Sequence, residues 1–184
     1  MNHGRVLSIG QGARSFDQLV GTLQVQSVGF LIDVRSVPRS GFRPEFSREP
    51  LQRALQSEGI RYVFMGDLLG GRPEDPDCYT DGKVDYDRVR STDAFQRGLG
   101  RLRSAVDQGL VVCLFCSEGD PARCHRSKLI GLACADEGIA VRHVLADGSV
   151  ASQDDVIRTL TGGQEDLFGG AGFRSRKAYV KTGS

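Results

Sequence analysis

The chain has 184 residues, which suits one domain with a buried core and a tail. Its 24 lysines and arginines nearly balance 23 aspartates and glutamates, so a nucleic-acid or membrane partner would have to meet a local patch. The five cysteines form no small-domain disulfide framework, and no cationic stretch precedes a long apolar one at the N-terminus, so we expect a cytoplasmic protein. No apolar run approaches the roughly 20 residues that span a bilayer, and we expect no membrane partner.

Short apolar runs that alternate with helical spacing predict an α/β fold. The pattern predicts strands at 6–9, 28–34, 60–65, 110–115 and 140–145. Helices are expected from Ser15, where Gln18 completes a capping box, and at 47–56, 93–108, 127–137 and 153–160. The second strand is apolar almost throughout, which is typical of burial on both faces of a parallel sheet. We therefore predict a single doubly wound, mostly parallel sheet flanked by helices, in a Rossmann-like three-layer arrangement.

Two stretches interrupt that alternation. Residues 66–87 are rich in Gly, Pro and Asp, which predicts a long excursion over the surface rather than core, of the kind that often forms lids or binding loops. Glycines at 162 and 163 end the pattern. We therefore expect a folded unit over 1–161 and a flexible basic tail over 162–184.

The loop at 116–126, between the fourth predicted strand and the next helix, concentrates reactive side chains. It lies at a predicted helix N-terminus, where unpaired backbone N–H groups and the helix dipole favour an anion. Pro121 at the first helical turn would leave Arg123 and Cys124 early in the helix, where the dipole lowers the pKa of a thiol. Asp120-Pro121 is also an ordinary cap and first-turn proline, so a purely structural role stays open. The reactive side chains are those of Cys116, Glu118, Asp120, Arg123, Cys124, His125 and Arg126.

The carboxyl ends of three predicted strands carry polar or glycine residues. Because ligands of open parallel sheets lie beyond the carboxyl ends of the strands, we expect these residues to line one crevice. Ordinary turn glycines, and a simple ion pair between Asp33 and Arg35, stay open as alternatives. The candidate catalytic residues are Asp33, Cys116, Glu118, Cys124 and His125, and the candidate ligand-binding residues are Gly10, Gln11, Gly12, Arg35, Arg39 and Arg126.

The other cysteines and histidines give weaker signals. Cys113 and Cys116 have the spacing of a metal or redox pair, but residues three apart in a strand point to opposite faces. Cys134 lies among apolar helix residues and is expected to be a buried, inert thiol. His143 is expected inside the last strand, which leaves His125 as the histidine of the site.

Four motifs in chain order resemble the domain of unknown function 488 family. The usual pattern of that family runs from Ile-Gly-His-Ser/Gly through Asp-Val-Arg…Pro-x-Ser and Leu-Gly-Gly to Cys-x-Glu…Pro-x-x-Cys-His-Arg. The resemblance covers about residues 5–146 and implies a family without a settled activity. The matching residues are Ile9-Gly10-Gln11-Gly12, Asp33-Val34-Arg35 with Pro38 and Ser40, Leu69-Gly70-Gly71-Arg72, and Cys116-Ser117-Glu118 with Pro121, Cys124, His125 and Arg126.

Gln11 stands where that family commonly has a histidine, and an amide cannot exchange a proton near neutral pH. If that histidine is catalytic in relatives, the activity here would be altered. The 116–126 loop also has a looser similarity to the loops of rhodaneses and cysteine phosphatases, where a nucleophilic cysteine follows a strand and an arginine closes an anion cradle. Cys116 to Arg123 is one residue longer than the phosphatase spacing, and the negative charge of Glu118 disfavours simple phosphate-ester chemistry.

The predicted tail carries two short signals. The sequence from Gln164 to Phe168 resembles the Gln-Leu-Asp/Ser-Leu-Phe peptide with which bacterial repair and replication proteins bind the sliding clamp. Gln164, Leu167 and Phe168 are therefore candidate partner-binding residues, while packing of the Leu-Phe pair on the domain stays open. Residues 173–179 interleave Arg and Lys with Phe and Tyr, which suits a strand of nucleic acid or a solvated terminus.

These residues support functions of different classes. The first is an enzyme or ligand-binding protein for a nucleotide or nucleic-acid component, with DNA repair as its setting, Asp33 or Glu118 as acid or base and His125 assisting proton transfer. The second is a cysteine-dependent transferase with Cys116 or Cys124 as nucleophile. A non-enzymatic module that binds nucleic acid or the clamp is a further alternative. A metal site is disfavoured because two of its three ligands would be adjacent in sequence, so neither metal nor cofactor is predicted.

Overall fold

The computed structural model describes residues 4–162 and 173–179, which are built around one six-stranded sheet. The strands are β1 (Arg5–Gly10), β2 (Phe30–Asp33), β3 (Arg61–Phe64), β4 (Tyr79–Thr80), β5 (Lys83–Val84), β6 (Val111–Cys116), β7 (Val141–Val144) and β8 (Val150–Ser152). The sheet has the order β3-β2-β6-β1-β7-β8, and β8 alone is antiparallel to its neighbour. β4 and β5 pair as a separate antiparallel hairpin. The predicted mostly parallel sheet is confirmed.

Helices cover both faces of this sheet. They are α1 (Phe16–Val25), α2 (Arg48–Ser57), α3 (Gly66–Leu69), α4 (Tyr86–Arg90), α5 (Asp93–Asp107), α6 (Leu132–Asp136) and α7 (Gln153–Thr161). Apolar residues of α1 and α2 pack with one set of strand side chains, which includes Leu7 and Phe115. Those of α3, α5 and residues 129–134 pack with the opposite set, which includes Val6 and Leu114. These two cores give the three-layer α/β fold that the sequence predicts.

Three neighbouring parallel strands bring the predicted site residues together. β2, β6 and β1 are adjacent in the sheet, so Gly10 lies beside Cys116 and Asp33 lies beside Phe115. Because the three strands run in the same direction, the segments that follow them leave the sheet at one edge.

The helix expected at 127–137 begins differently from the prediction. Asp120 caps a 3₁₀ turn, Pro121–Arg123, because its side chain accepts a hydrogen bond from the Ala122 N–H (2.9 Å). The turn ends at Arg123. Cys124 is extended, with φ −118° and ψ 153°, and a π-helical turn, Arg126–Gly131, then leads into α6. The prediction that Cys124 lies in the first turn of a helix was therefore wrong, and its electrostatics must come from neighbouring side chains.

The stretch 66–87 is only partly the surface excursion that its composition predicts. It contains α3, a 3₁₀ turn, the β4–β5 hairpin and the start of α4. Leu69, Cys78, Val84 and Tyr86 are all buried in the core that also contains α5. These apolar residues are scattered among Gly, Pro and Asp without a sustained helical or strand period, so the hydrophobic pattern did not reveal them.

Residues 173–179, which we call the C-terminal segment, lie against the β4–β5 hairpin. The Ser175 N–H donates to the Val84 carbonyl (3.0 Å), and the Tyr179 N–H donates to the Gly82 carbonyl (2.8 Å). Phe173 packs against the core. This part of the predicted flexible tail is therefore bound to the domain.

Gln164, Leu167 and Phe168, the candidate clamp-binding residues, lie outside the described residues, so that role stays a prediction. The domain boundary near 161 likewise stays a prediction. Within 4–162 and 173–179 no helix is both long and apolar enough to cross a membrane.

Candidate functional site

One crevice lies where the segments that follow β2 and β6 meet the C-terminal segment. Its volume is about 560 Å³, within the range of small-molecule sites. Arg39 is exposed and is not part of its lining. Of the residues predicted from the sequence, the crevice is lined by Gly12, Arg35, Cys116, Glu118, Cys124 and His125.

Two thiols and an imidazole meet in this crevice. Cys116 ends β6 and is partly buried, whereas Cys124 is 4% exposed. Their sulfur atoms and a ring nitrogen of His125 all lie within 4.8 Å of one another. Arg126 Nε donates to Cys124 Sγ (3.3 Å), and His125 Nδ1 lies 3.6 Å from the same sulfur.

Opposing effects set the charge of the two thiols. Burial alone would raise the pKa of Cys124. A hydrogen bond from the Cys116 S–H, the charge of Arg126 and the ring of His125 outweigh burial and hold that pKa well below its usual value. The pKa of Cys116 is raised, first by its hydrogen bond to Cys124 and then by burial. The pKa shifts of the two thiols therefore run in opposite directions, which favours Cys124 over Cys116 as the thiolate.

The orientation of His125 follows from a backbone contact. Its Nε2 lies 3.1 Å from the carbonyl oxygen of Val34. A carbonyl can only accept a hydrogen bond, so Nε2 carries the proton and Nδ1 faces Cys124. A proton that leaves the Cys124 thiol can therefore reside on Nδ1.

Arg126 acts from beneath the crevice. The residue is fully buried; Nη2 donates to the Glu118 carbonyl (2.5 Å) and Nη1 to Ser8 Oγ (3.3 Å). With Nε on Cys124, the guanidinium fixes the 116–126 loop and supplies positive charge to the thiolate. Arg126 is not part of the crevice lining, and its candidate role in binding the ligand stays a prediction.

Asp33 holds Arg35 rather than facing the crevice. The Asp33 side chain is fully buried, and its oxygens accept from Arg35 Nε (2.9 Å) and Nη2 (2.6 Å) and from the Tyr62 hydroxyl (2.6 Å). These contacts satisfy the Asp33 side chain away from the crevice lining, and its candidate catalytic role stays a prediction. The Arg35 guanidinium also stacks on Phe115 (4.9 Å to the ring centroid).

One nitrogen of Arg35 has no partner. Nη1 is buried and makes no hydrogen bond within the described residues, although Arg35 lines the crevice. Burial would lower the pKa of Arg35, but the hydrogen bond and charge of Asp33 raise it, so the side chain stays cationic. A buried guanidinium N–H without an acceptor is unfavourable, and Nη1 is closed to solvent, so a ligand would reach this donor only after a local movement.

The end of β1 supports the loop. A Cβ on Gly10 would lie 2.0 Å from the Glu118 carbonyl oxygen, so only glycine allows the two backbones to approach this closely. Gln11 is 7% exposed, and its N–H donates to the Cys116 carbonyl (2.8 Å). Gly12, with a positive φ of 49°, lines the crevice. Gly10 and Gln11 thus position the loop from outside the crevice lining, and their candidate role in ligand binding stays a prediction.

Cations outnumber carboxylates in the lining. Glu118 is the single carboxylate among the described lining residues, and Arg176 donates to it (2.9 Å). That ion pair neutralises the negative charge that the sequence placed in the loop. The cationic lining residues are Arg35, Arg72, Arg123, Arg176 and Lys177.

Several lining residues were not among the sequence candidates. Arg72 was quoted as part of a family motif and Arg123 as a reactive side chain of the 116–126 loop, but neither was a candidate catalytic or ligand-binding residue. Tyr86 lines the crevice from α4, and no pattern in the sequence pointed to it. Lys177 and Tyr179 belong to the basic and aromatic alternation noted in the tail, but the sequence does not place that segment beside the thiols.

Most residues that line the crevice lie in a region of the chain that matches a family model. The family model described as Domain of unknown function DUF488 matches residues 15–132. The chain belongs to this family. No curated protein and no solved structure shows a significant match.

The DUF488 match divides the crevice into two parts. Arg35, Cys116, Cys124 and His125 lie inside the matched region. The end of β1 and the C-terminal segment lie outside it. The thiol pair and its cationic neighbours therefore belong to the DUF488 domain, whereas the wall formed by residues 173–179 is added by the rest of this chain.

Proposed function

We propose that this DUF488 protein is a cysteine-dependent enzyme that transfers or hydrolyses a phosphate-bearing group of a nucleotide or nucleic-acid component. The observation that carries the proposal is the pair of thiols, Cys116 and Cys124, in a crevice whose described lining has five lysine and arginine side chains and one carboxylate. An oxyanion of the substrate would bind these cations, and this contact would hold the reacting group beside the thiolate.

Cys124 is the nucleophile in this proposal. Its thiolate attacks phosphorus, an S–P bond forms, and the bond from phosphorus to the leaving oxygen breaks. The leaving oxygen takes the proton from His125 Nδ1. Water or a second acceptor then cleaves the S–P bond, returns a proton to His125 and restores the thiolate. Arg126 and the Cys116 S–H stabilise Cys124 as the thiolate between turnovers.

The nucleotide class of substrate rests on the crevice walls. Arg72, Arg123 and Lys177 have no ion-pair partner within residues 4–162 and 173–179, so the lining favours an anion with more than one charge. Tyr179, which is 44% exposed, provides an aromatic ring on which a base could stack. Glu118 does not oppose such a ligand, because Arg176 neutralises it.

Alkylation of each cysteine by iodoacetamide over a range of pH, followed peptide by peptide by mass spectrometry, tests the nucleophile. We expect Cys124 to react in the native protein at a rate that has already reached its plateau near neutral pH. Burial raises the pKa of Cys134 to about 12, so this thiol serves as the internal control and should react only after unfolding. If Cys124, like Cys134, is alkylated only after the protein unfolds, the proposal is wrong.

A second candidate function is a metal centre at the same groups. Cys116 Sγ, Cys124 Sγ and a ring nitrogen of His125 are close enough to share an ion. The contact of His125 Nε2 with a backbone carbonyl is the outer contact that orients metal-binding histidines. Two thiolates, one imidazole and an open fourth position suit Zn²⁺.

Elemental analysis of protein purified without added metal separates the two candidates. About one equivalent of zinc, whose removal by a chelator exposes Cys124 to alkylation, favours the metal centre. Protein that lacks metal and still has a reactive Cys124 favours the thiolate enzyme.

A further inference from the structure

The C-terminal segment is built into the domain by its backbone. Besides the bonds of Ser175 and Tyr179 to the hairpin, the Val84 N–H donates to Ser175 Oγ (2.9 Å), and the Phe173 carbonyl accepts from the Tyr86 N–H (3.1 Å). Ser175 is 5% exposed. The segment therefore presents a defined set of side chains to the crevice.

Those side chains divide into two groups. Arg176, Lys177 and Tyr179 line the crevice, whereas Arg174 pairs with Asp81 (3.4 Å) and is not part of the lining. Arg176 makes its ion pair with Glu118 and so ties the segment to the loop that carries the thiols. Its charge is satisfied there, which leaves the other cations of this wall for a ligand.

Two cations of the outer wall remain unneutralised. Lys177 has no ion-pair partner within the described residues, nor has Arg72, whose guanidinium lies over the Tyr179 ring (5.0 Å to the centroid). Arg35, which follows β2 and is 4% exposed, lines the same crevice from deeper in the domain. The crevice thus has an inner cationic donor from the DUF488 domain and an outer cationic wall that includes the C-terminal segment.

We propose that Arg72 and Lys177 form a second anion subsite, so that the substrate carries two phosphate groups, one at Arg35 and one at the outer wall. The proposal rests on the proposed function for its inner subsite. Arg176 is a positioning residue, because its contact is with Glu118. The shared chemistry is a pair of phosphates, as found in a nucleoside diphosphate or in neighbouring phosphates of a nucleic-acid strand.

Calorimetric titration of the full chain at one ionic strength, with inorganic phosphate and with pyrophosphate as probes, tests the second subsite. We expect pyrophosphate to bind more tightly than phosphate, and Lys177→Ala to weaken pyrophosphate binding by about tenfold or more. Arg174→Ala is the matched control, because it removes an equal charge from the same segment outside the crevice. Arg72→Ala provides an independent second variant on the other side of the subsite.

The outcomes separate the subsite from the proposed function. If phosphate and pyrophosphate bind equally, or if Lys177→Ala and Arg72→Ala weaken pyrophosphate no more than Arg174→Ala does, the second subsite is wrong while the inner site and Cys124 chemistry stand. If neither probe binds, both proposals are wrong. With the two-phosphate preference established, tighter binding of ADP than of a short 5′-phosphorylated oligonucleotide assigns the substrate to free nucleotides, and the reverse assigns it to nucleic-acid strands.

Discussion

Replacing Arg126 should raise the pKa of Cys124, because it removes the buried positive charge next to the thiolate. Arg126 Nε is 3.3 Å from Cys124 Sγ, and the residue is fully buried. Opposite unit charges about 4 Å apart attract by roughly 4 kcal/mol at an effective dielectric constant of about 20, which corresponds to roughly three pKa units. Relaxation and entry of water reduce this effect, so we expect Arg126→Met to raise the pKa of Cys124 by at least about one unit.

The pH dependence of Cys124 alkylation measures that shift. Arg126→Lys keeps the positive charge and should retain most of the low pKa, although it loses the bond to the Glu118 carbonyl. Thermal unfolding of both variants separates a change in charge from a change in fold. If Arg126→Met is too unstable, His125→Gln tests the second neighbour of the thiolate in the same assay. A folded Arg126→Met protein with an unchanged alkylation profile would refute the electrostatic explanation.

Three further predictions concern the support of the site. Burial lowers the pKa of His143 to about 4, so stability should fall by about 3 kcal/mol as the pH drops from about 6.5 to about 4, where the unfolded chain takes up the proton first. His143→Gln should remove that slope in urea titrations, and a persistent slope would assign it to other groups. Gly10→Ala would place Cβ 2.0 Å from the Glu118 carbonyl oxygen and should lower the melting temperature. Gly100→Ala is the control, because it has open space around it and should leave the melting temperature unchanged or raise it. Equal effects of the two substitutions would contradict the close approach of the backbones at Gly10. Tyr62→Phe removes a donor from the buried Asp33 carboxylate and should lower the free energy of unfolding by about 1–3 kcal/mol, while an unchanged value would mean that water replaces the hydroxyl.

The layout of the sheet could be predicted because its signals are local. Apolar runs mark the parallel strands, and Ser15 with Gln18 forms the predicted capping box. The rule that ligands lie beyond the carboxyl ends of parallel strands placed Cys116, Glu118 and Arg35 in one crevice. These inferences depend on periodicity and chain direction, which a single sequence contains.

The roles within the site depended on contacts that a sequence does not contain. Asp33 and Arg35 are two residues apart in the chain, but only the structure shows that the oxygens of Asp33 accept hydrogen bonds from Arg35 and Tyr62. Cys124 was linked to a helix dipole because Pro121 favours a helix start, whereas the turn ends after three residues. The contact between Arg176 and Glu118 joins residues 58 positions apart, and no local pattern predicts such a pair.

The proposed chemistry requires a thiolate and an anion site in the same crevice, and phosphate protection of Cys124 measures both together. The rate of Cys124 alkylation in native protein at neutral pH is followed as inorganic phosphate is added at constant ionic strength. We predict rapid modification that phosphate slows in a saturable manner, with weaker protection in Arg35→Lys, which keeps the charge but loses the planar guanidinium. Modification of Cys124 only after unfolding, or a native rate that phosphate does not change, would contradict the proposed function.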